Sequence, residues 1–197
     1  METIRTFIAV DLLEEIRRRM ASVIERLRSR AEGVRWIKPE AVHLTLKFLG
    51  DVSPEKIGKI GEALAPKLRR VEPFEARVAR IGCFPSADRA RIVWIGIDEP
   101  TGILTRLHEK VDAAMGGLGF PREERPFRAH LTVGRVRRDA GGLDLQSLVA
   151  REPAADLGAL KIAEIILFRS DLRPDGALYT PLDRYPLGRE GEGSRSK

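Results

Sequence analysis

One cysteine, three histidines, two tyrosines and two tryptophans are all that 197 residues hold of these types, and each scarcity excludes something. Cys83 alone makes neither an intramolecular disulfide nor a thiolate metal cluster, which fits a reducing, cytoplasmic setting. No run of about 18 apolar residues occurs, and Met1-Glu2-Thr3-Ile4-Arg5 is not a basic stretch leading into an apolar one, so neither a membrane span nor a secretory leader is read. Nucleophile triads have no footing: there is no Gly-x-Ser-x-Gly elbow, and Cys83 has no histidine at a suggestive spacing. A catalytic zinc wants three protein ligands. No third histidine, cysteine or carboxylate stands at ligand spacing, so no metal and no other cofactor is expected.

What is present is apolar and basic. Hydrophobic residues make up 43% of the chain, enough at this length to bury a sizeable core. The net charge of +6, carried more by arginine than by lysine, favours a polyanionic partner such as nucleic acid or a nucleotide.

Period two in residues 3–10, with Ile4, Thr6, Ile8 and Val10 against Arg5, Phe7 and Ala9, predicts a strand. Asp11 is placed to cap a helix running from Leu12 to about Ala31. Its apolar residues recur at helical spacing, its arginines form a solvated face, and Gly33 stops it. In the strand from Val42 to Leu49, Val42, Leu44, Leu46 and Phe48 should pack against helices, while His43, Thr45 and Lys47 point the other way. Ser53-Pro54 opens a second helix that Pro66 should end or kink. A strand from Phe74 to Ile81 then enters a loop, residues 82–88, which leaves Phe84 without a core role.

Residues 91–97 are apolar on both faces and read as a central strand. A helix follows from Pro100 to Met115, with His108 outside its apolar stripe and solvated. The next strand puts His130 and Thr132 on one face and Leu131 and Val133 on the other. Then come a turn at Gly141-Gly142, a short helix at about 143–150, strands near 157–163 and 165–169, a hairpin turn at Asp175-Gly176 and a last strand at 177–185. Residues 1–186 are expected to form one domain of two pseudo-symmetric lobes. The charged, glycine-rich segment 187–197 is expected to be disordered.

Two of the three histidines sit in near-identical settings, His43-Leu44-Thr45-Leu46 and His130-Leu131-Thr132-Val133. Each follows the end of a strand, at Val10 and at Ile97, by 33 residues, with a helix in the gap and a helix and strand after it. Strand-helix-strand-helix-strand is thus written twice. Two related halves meeting on a pseudo-two-fold axis would bring His43 and His130 into one cleft.

Paired histidines suit acid-base work at phosphorus. An imidazole with a free pKa of about 6.5 exists in both forms near neutral pH, so one can accept a proton while the other donates. In-line displacement needs that arrangement, a base at the attacking oxygen and an acid at the leaving oxygen. Thr45 and Thr132 lie roughly 6 to 7 Å along each strand from the histidines, on the same face, where their hydroxyls can serve non-bridging oxygens.

These residues resemble a known family, the 2H phosphoesterases with their paired His-x-Thr-x (HxTx) motif, and within it the RNA 2′,3′-cyclic phosphodiesterases, also called 2′-5′ RNA ligase-like proteins. The resemblance runs from Arg5-Thr6-Phe7-Ile8-Ala9 through Trp36, the segment 43–50, Phe84-Pro85 and the segment 130–135 to Leu167-Phe168-Arg169-Ser170 and Tyr179. It implies an α+β, duplicated, two-lobed fold of two antiparallel sheets flanked by helices, with the active-site cleft between them. It implies metal-independent hydrolysis of RNA terminal 2′,3′-cyclic phosphate to a 2′-phosphate, with His43 as proton donor and His130 as proton acceptor. Thr45, Thr132 and Arg135 would bind the phosphate, and Phe84 would stack on the terminal base. Strict alternation puts Arg135 on the face opposite His130, so that role needs a bulge or twist at Gly134.

Arg89, Arg125 and Arg128 are placed to guide an RNA backbone. The partner expected is RNA or a nucleotide 2′,3′-cyclic phosphate, the chain a monomer with no membrane association. Two other functions stay open: 2′-5′ ligation of tRNA halves, with an RNA 5′-hydroxyl replacing water, and a non-catalytic RNA- or nucleotide-binding module.

Overall fold

Strands and helices fall close to where periodicity puts them. The computed structural model describes residues 2–138, 145–150, 156–174 and 176–188. The turn expected at Gly141-Gly142, the first residues of the fourth helix and Asp175 of the hairpin turn lie outside them. In chain order the elements are β1 (Ile4–Val10), α1 (Glu14–Arg28), β2 (Val34–Trp36), a 3₁₀ turn (Pro39–Ala41), β3 (Leu44–Val52), α2 (Pro54–Leu68) and β4 (Phe74–Phe84). The second half runs β5 (Ile92–Asp98), α3 (Ile103–Gly116), β6 (His130–Val136), α4 (Leu145–Ala150), β7 (Asp156–Ile162), β8 (Glu164–Arg173) and β9 (Gly176–Pro186).

The duplicated order is therefore real: β1-α1-β3-α2-β4 matches β5-α3-β6-α4 and the strands after it. The fold is α+β and antiparallel throughout, with hydrogen-bonded order β7-β4-β5-β6-β3-β1-β8-β9 and β2 beside β6. In place of the two sheets expected there is one continuous nine-stranded sheet, whose halves are joined where Leu44 of β3 pairs with Leu131 of β6. Each half is built from both repeats. The strand ending the first repeat, β4, pairs with β5, and β8 returns to pair with β1.

The main core lies between the sheet and α1, α2 and α3, with Ile8, Met20, Ile24, Leu64, Leu107 and Leu131 among its fully enclosed side chains. A second cluster, Phe7, Ala9, Ile166 and Phe168 with Tyr179 against it, occupies the opposite face of β1 and β8. That face floors the cleft described below. No helix among the described residues is long and apolar enough to cross a membrane.

Several expectations are corrected by packing. Asp11 does not cap α1, which starts at Glu14; its Oδ1 accepts the Leu12 N–H and an Arg17 N–H. Pro66 neither ends nor breaks α2, which continues to Leu68. A proline in the last turn forfeits one hydrogen bond, and burial of Leu64 and Leu68 holds the turn closed. β4 does not stop at Ile81 but reaches Phe84, because Gly82 lets the Trp94 ring lie on it. A Cβ at Gly82 would come within 2.2 Å of that ring. His108 is 7% exposed, not solvated, and its ring stacks on Phe127 at 4.2 Å. Leu187, assigned to a disordered tail, is buried, and its N–H donates to Ala163 O; Gly188 N–H donates to Leu68 O. Residues 189–197 lie outside the described residues.

The largest departure is in β3. Its register with β1 slips twice, leaving Leu46 and Leu49 without a partner in the ladder. Each extra residue reverses the alternation that follows it. Lys47 consequently turns inward, 2% exposed, and Phe48 turns outward, 65% exposed. The buried ammonium is matched: Lys47 Nζ donates to Asp112 Oδ1 at 2.7 Å and to Pro121 O at 2.8 Å. Asp112, on α3, also accepts from Arg122 Nε and from the Glu123 N–H. This network ties the His43 strand to the segment that leads into the His130 strand.

Removing one partner of a buried pair strands the other charge. Asp112→Ala leaves Lys47 with only a carbonyl and should lose about 3–5 kcal/mol of stability. Lys47→Met, which leaves Asp112 two donors and fills the space with an apolar chain, should lose less than half of that. Urea unfolding of the two variants measures the difference, and equal losses would contradict it.

Candidate active site

The pairing of Leu44 with Leu131 brings together the residues beside them. Extending that register one step either way sets His43 opposite Thr132 and Thr45 opposite His130, each histidine facing the other repeat's threonine. All four line a single open cleft of about 860 Å³, toward the upper end of the ~300–1,000 Å³ typical of small-molecule sites.

Both imidazoles are oriented in the same way. His43 Nδ1 lies 3.1 Å from Ala41 O, and His130 Nδ1 lies 2.6 Å from Arg128 O. A carbonyl only accepts, so Nδ1 carries the proton in each ring and Nε2 is left free for chemistry. The turn that carries the Ala41 carbonyl is itself braced. Arg17 Nη1 donates to Pro39 O at 2.7 Å and to Val42 O at 3.3 Å, while Nη2 pairs with Asp11. Arg17 thus leaves the solvated arginine face expected of α1 and holds the turn that aims His43. Periodicity could not have found it, since its partners are backbone carbonyls 22 and 25 residues away.

The two rings differ in surroundings. His43 stacks on Phe7 at 4.5 Å, lies 6.3 Å from Phe168, and meets Tyr179 edge-on at 4.9 Å. Removal from water among these rings is the main reason its pKa falls to about 4; the Ala41 hydrogen bond and the Asp11 charge oppose the fall, and the Arg17 charge adds to it. Among the described residues the one ring that His130 meets is Phe84, edge-on at 5.0 Å. Phe84 is not among the cleft-lining residues; it packs between His130 and Trp94, 5.2 Å from the latter, with Arg128 over its ring. Phe48, expected in the core, lines the cleft instead, 6.1 Å from Phe7.

Arg135 does reach the cleft. β6 bulges against β5, with Gly134 paired to Val93 and Thr132 to Trp94, so Val133 is extra. One added residue puts Arg135 on the side of His130 and Thr132. Gly134 permits the bend because β2 crosses it closely; a Cβ there would lie 2.7 Å from Val34 Cγ1. Arg35 of β2 is paired directly with Arg135 and also lines the cleft. Like charges directly opposite repel unless an anion lies between them. Arg89, Arg125 and Arg128, placed by sequence on an RNA path, do not line the cleft. Sequence reasoning did not single out Arg35 or Phe48 as cleft residues.

A family model described as LigT-like phosphoesterase matches the chain twice, over residues 10–94 and 95–179. A protein of Methanothermobacter thermautotrophicus named RNA 2′,3′-cyclic phosphodiesterase is 35% identical over 184 residues, 93% of this chain and 99% of its own. One of the same name from Archaeoglobus fulgidus is 36% identical over 178 residues, 90% of this chain and 97% of its own. The crystal structure of E. coli LigT complexed with 3′-AMP superposes with a TM-score of 0.75 at 26% identity, covering 94% of this chain and 99% of that one.

The buried ring of His43 sets a pH dependence. The unfolded chain binds a proton at about pH 6.5, whereas the folded chain resists it until about pH 4. Stability should therefore fall as pH drops from 6.5 to 4, by about 3 kcal/mol from this group. Histidine proton NMR should show one ring titrating near pH 4, moving upward when inorganic phosphate is added. His43→Gln should flatten the stability profile in that window. Titration of His43 near 6.5 in the free protein would refute the assignment.

Proposed function

The chain belongs to the LigT-like phosphoesterases, and from that premise we propose that it hydrolyses the 2′,3′-cyclic phosphate at an RNA end to a 2′-phosphate, with one histidine as base and the other as acid. The observation that carries this reading is the pair of Nε2 atoms left free in one cleft, which Thr45 and Thr132 also line. Names of relatives point to the same substrate.

In this mechanism His130 Nε2 takes a proton from water as its oxygen attacks phosphorus. The bond to the 3′-oxygen breaks, and His43 Nε2 protonates that oxygen as it leaves. Thr45 and Thr132 donate to the non-bridging oxygens. Arg135, with Arg35 opposite, balances the phosphate charge, relieving their mutual repulsion. Without substrate His43 is neutral at pH 7 with its proton on Nδ1, so Nε2 has none to give. A bound phosphodiester anion beside Nε2 favours the imidazolium and raises its pKa, so substrate itself arms the donor. Arginines and hydroxyls suffice for a monoanionic phosphate, and among the described residues no group of three or more His, Cys, Asp or Glu converges to hold a metal ion. Phe48, exposed at the cleft wall beside Phe7, offers the stacking face for the terminal base; Phe84 acts through His130.

His43→Ala and His130→Ala should each lower turnover by about 10² or more. Phosphorus NMR on 2′,3′-cyclic nucleotides, with and without chelator, reads the rate, the bond broken and metal dependence. Near-normal rates in both variants would sink the mechanism. Phe48→Ala should raise KM about fivefold or more, the worth of one stacked base, with kcat little changed. Phe84→Ala should act mainly on kcat, and the reverse pattern would exchange the two assignments.

A further inference from the structure

Arginines elsewhere on this surface are mostly committed: Arg17, Arg77 and Arg184 pair with Asp11, Asp156 and Glu164. Those of the cleft are not. Among the described residues Arg5, Arg35, Arg135 and Arg173 have no carboxylate partner, and Glu40 is the cleft's one acidic lining residue. Arg5 even stands across the β1–β3 ladder from Asp51 without pairing to it. A single scissile phosphate brings one negative charge, which Arg35 and Arg135 already exceed.

Arg5 and Arg173 lie away from that phosphate, at the other end of the cleft floor. The Phe7 ring lies under His43, and Arg5 is two residues further out on the same side of β1, about 7 Å along the strand. On β8, Phe168, Ser170 and Leu172 follow the same direction, and Arg173 ends the strand opposite Gly176. Beside it the rim carries two apolar side chains open to solvent, Leu172 at 73% and Leu178 at 42% exposure. Tyr179 stands between the two ends: the charges of both Arg135 and Arg5 act on its phenol, opposing the upward pull of burial on its pKa. A nucleoside reaching from the histidines across Phe7 and Phe48 would direct its 5′ side to Arg5 and Arg173.

Resting on the reading that the cleft processes an RNA end, we propose that Arg5, Arg173, Leu172 and Leu178 form a second subsite, which holds the phosphodiester 5′ of the terminal nucleotide and the sugar and base beyond it. The cleft then selects an RNA strand of two or more nucleotides over a mononucleotide. An acidic peptide would satisfy the arginines as well. Continuity of the subsite with the paired histidines favours nucleic acid.

Binding and turnover separate the two claims. By fluorescence or calorimetric titration, a trinucleotide 2′-phosphate should bind the full chain about tenfold more tightly than 2′-AMP, the worth of one charge-assisted contact. Its salt dependence should be steeper by about 0.7 per added phosphate. The variant carrying Arg5→Ala and Arg173→Ala should lose that preference while binding 2′-AMP within about twofold of wild type, which also shows that it is folded. Arginine-dependent preference without turnover of cyclic phosphates would support the subsite and sink the catalytic reading. Turnover with equal affinity for both ligands, or parallel loss of both in the variant, overturns the subsite. Displacement of the trinucleotide by hexaglutamate at comparable concentration overturns nucleic acid as the occupant.

Discussion

Everything at the cleft depends on the meeting of β3 and β6 at Leu44 and Leu131. Both leucines are fully buried, and each directly follows the histidine of its repeat. Joining the halves there places residues 87 positions apart in the sequence side by side. The seam is short, so the two half-sheets diverge from it and leave open the space that a substrate must enter. Because each half-sheet takes a strand from the other repeat, the halves cannot drift apart without unpairing β4 from β5 or β8 from β1.

Local irregularities then determine which side chains face that space. A strand with perfect alternation would send Phe48 to the core and Lys47 to the cleft. The bulge at Leu46 exchanges them, gives the cleft an aromatic wall and hands the core an ammonium, which Asp112 neutralises. The bulge at Val133 does the same service on β6, turning Arg135 toward His130. One inserted residue is worth a change of face because the side-chain period of a strand is two.

Electrostatically the cleft is divided. Its floor at His43 is dry and aromatic, which holds that imidazole neutral while the cleft is empty. Its rim carries arginines that have no carboxylate partner among the described residues. In the mechanism proposed above, a phosphate that enters gains their attraction and, by its own charge, restores the proton to the buried ring. On that reading binding and readiness for chemistry are coupled through one phosphate, while Arg17 holds the 39–42 turn whose Ala41 carbonyl orients the His43 ring.

Residue order alone determined a good deal of this. Period two and period 3.6 gave the strands and helices, and the double His-x-Thr at matched intervals gave the duplication, the histidines and the resemblance to 2H phosphoesterases, because these are properties of near neighbours along the chain. The seam, the strand exchange, the bracing of the 39–42 turn by Arg17 and the burial of His108 were decided by tertiary structure. So was the place of Phe48 on the cleft wall: alternation is legible only while it is unbroken, and a bulge arises from how neighbouring strands fit. Arg135 marks the boundary between the two. Gly134 beside it signalled that the strand could bend, but only the packing of β2 and β5 on β6 made it bend toward the cleft.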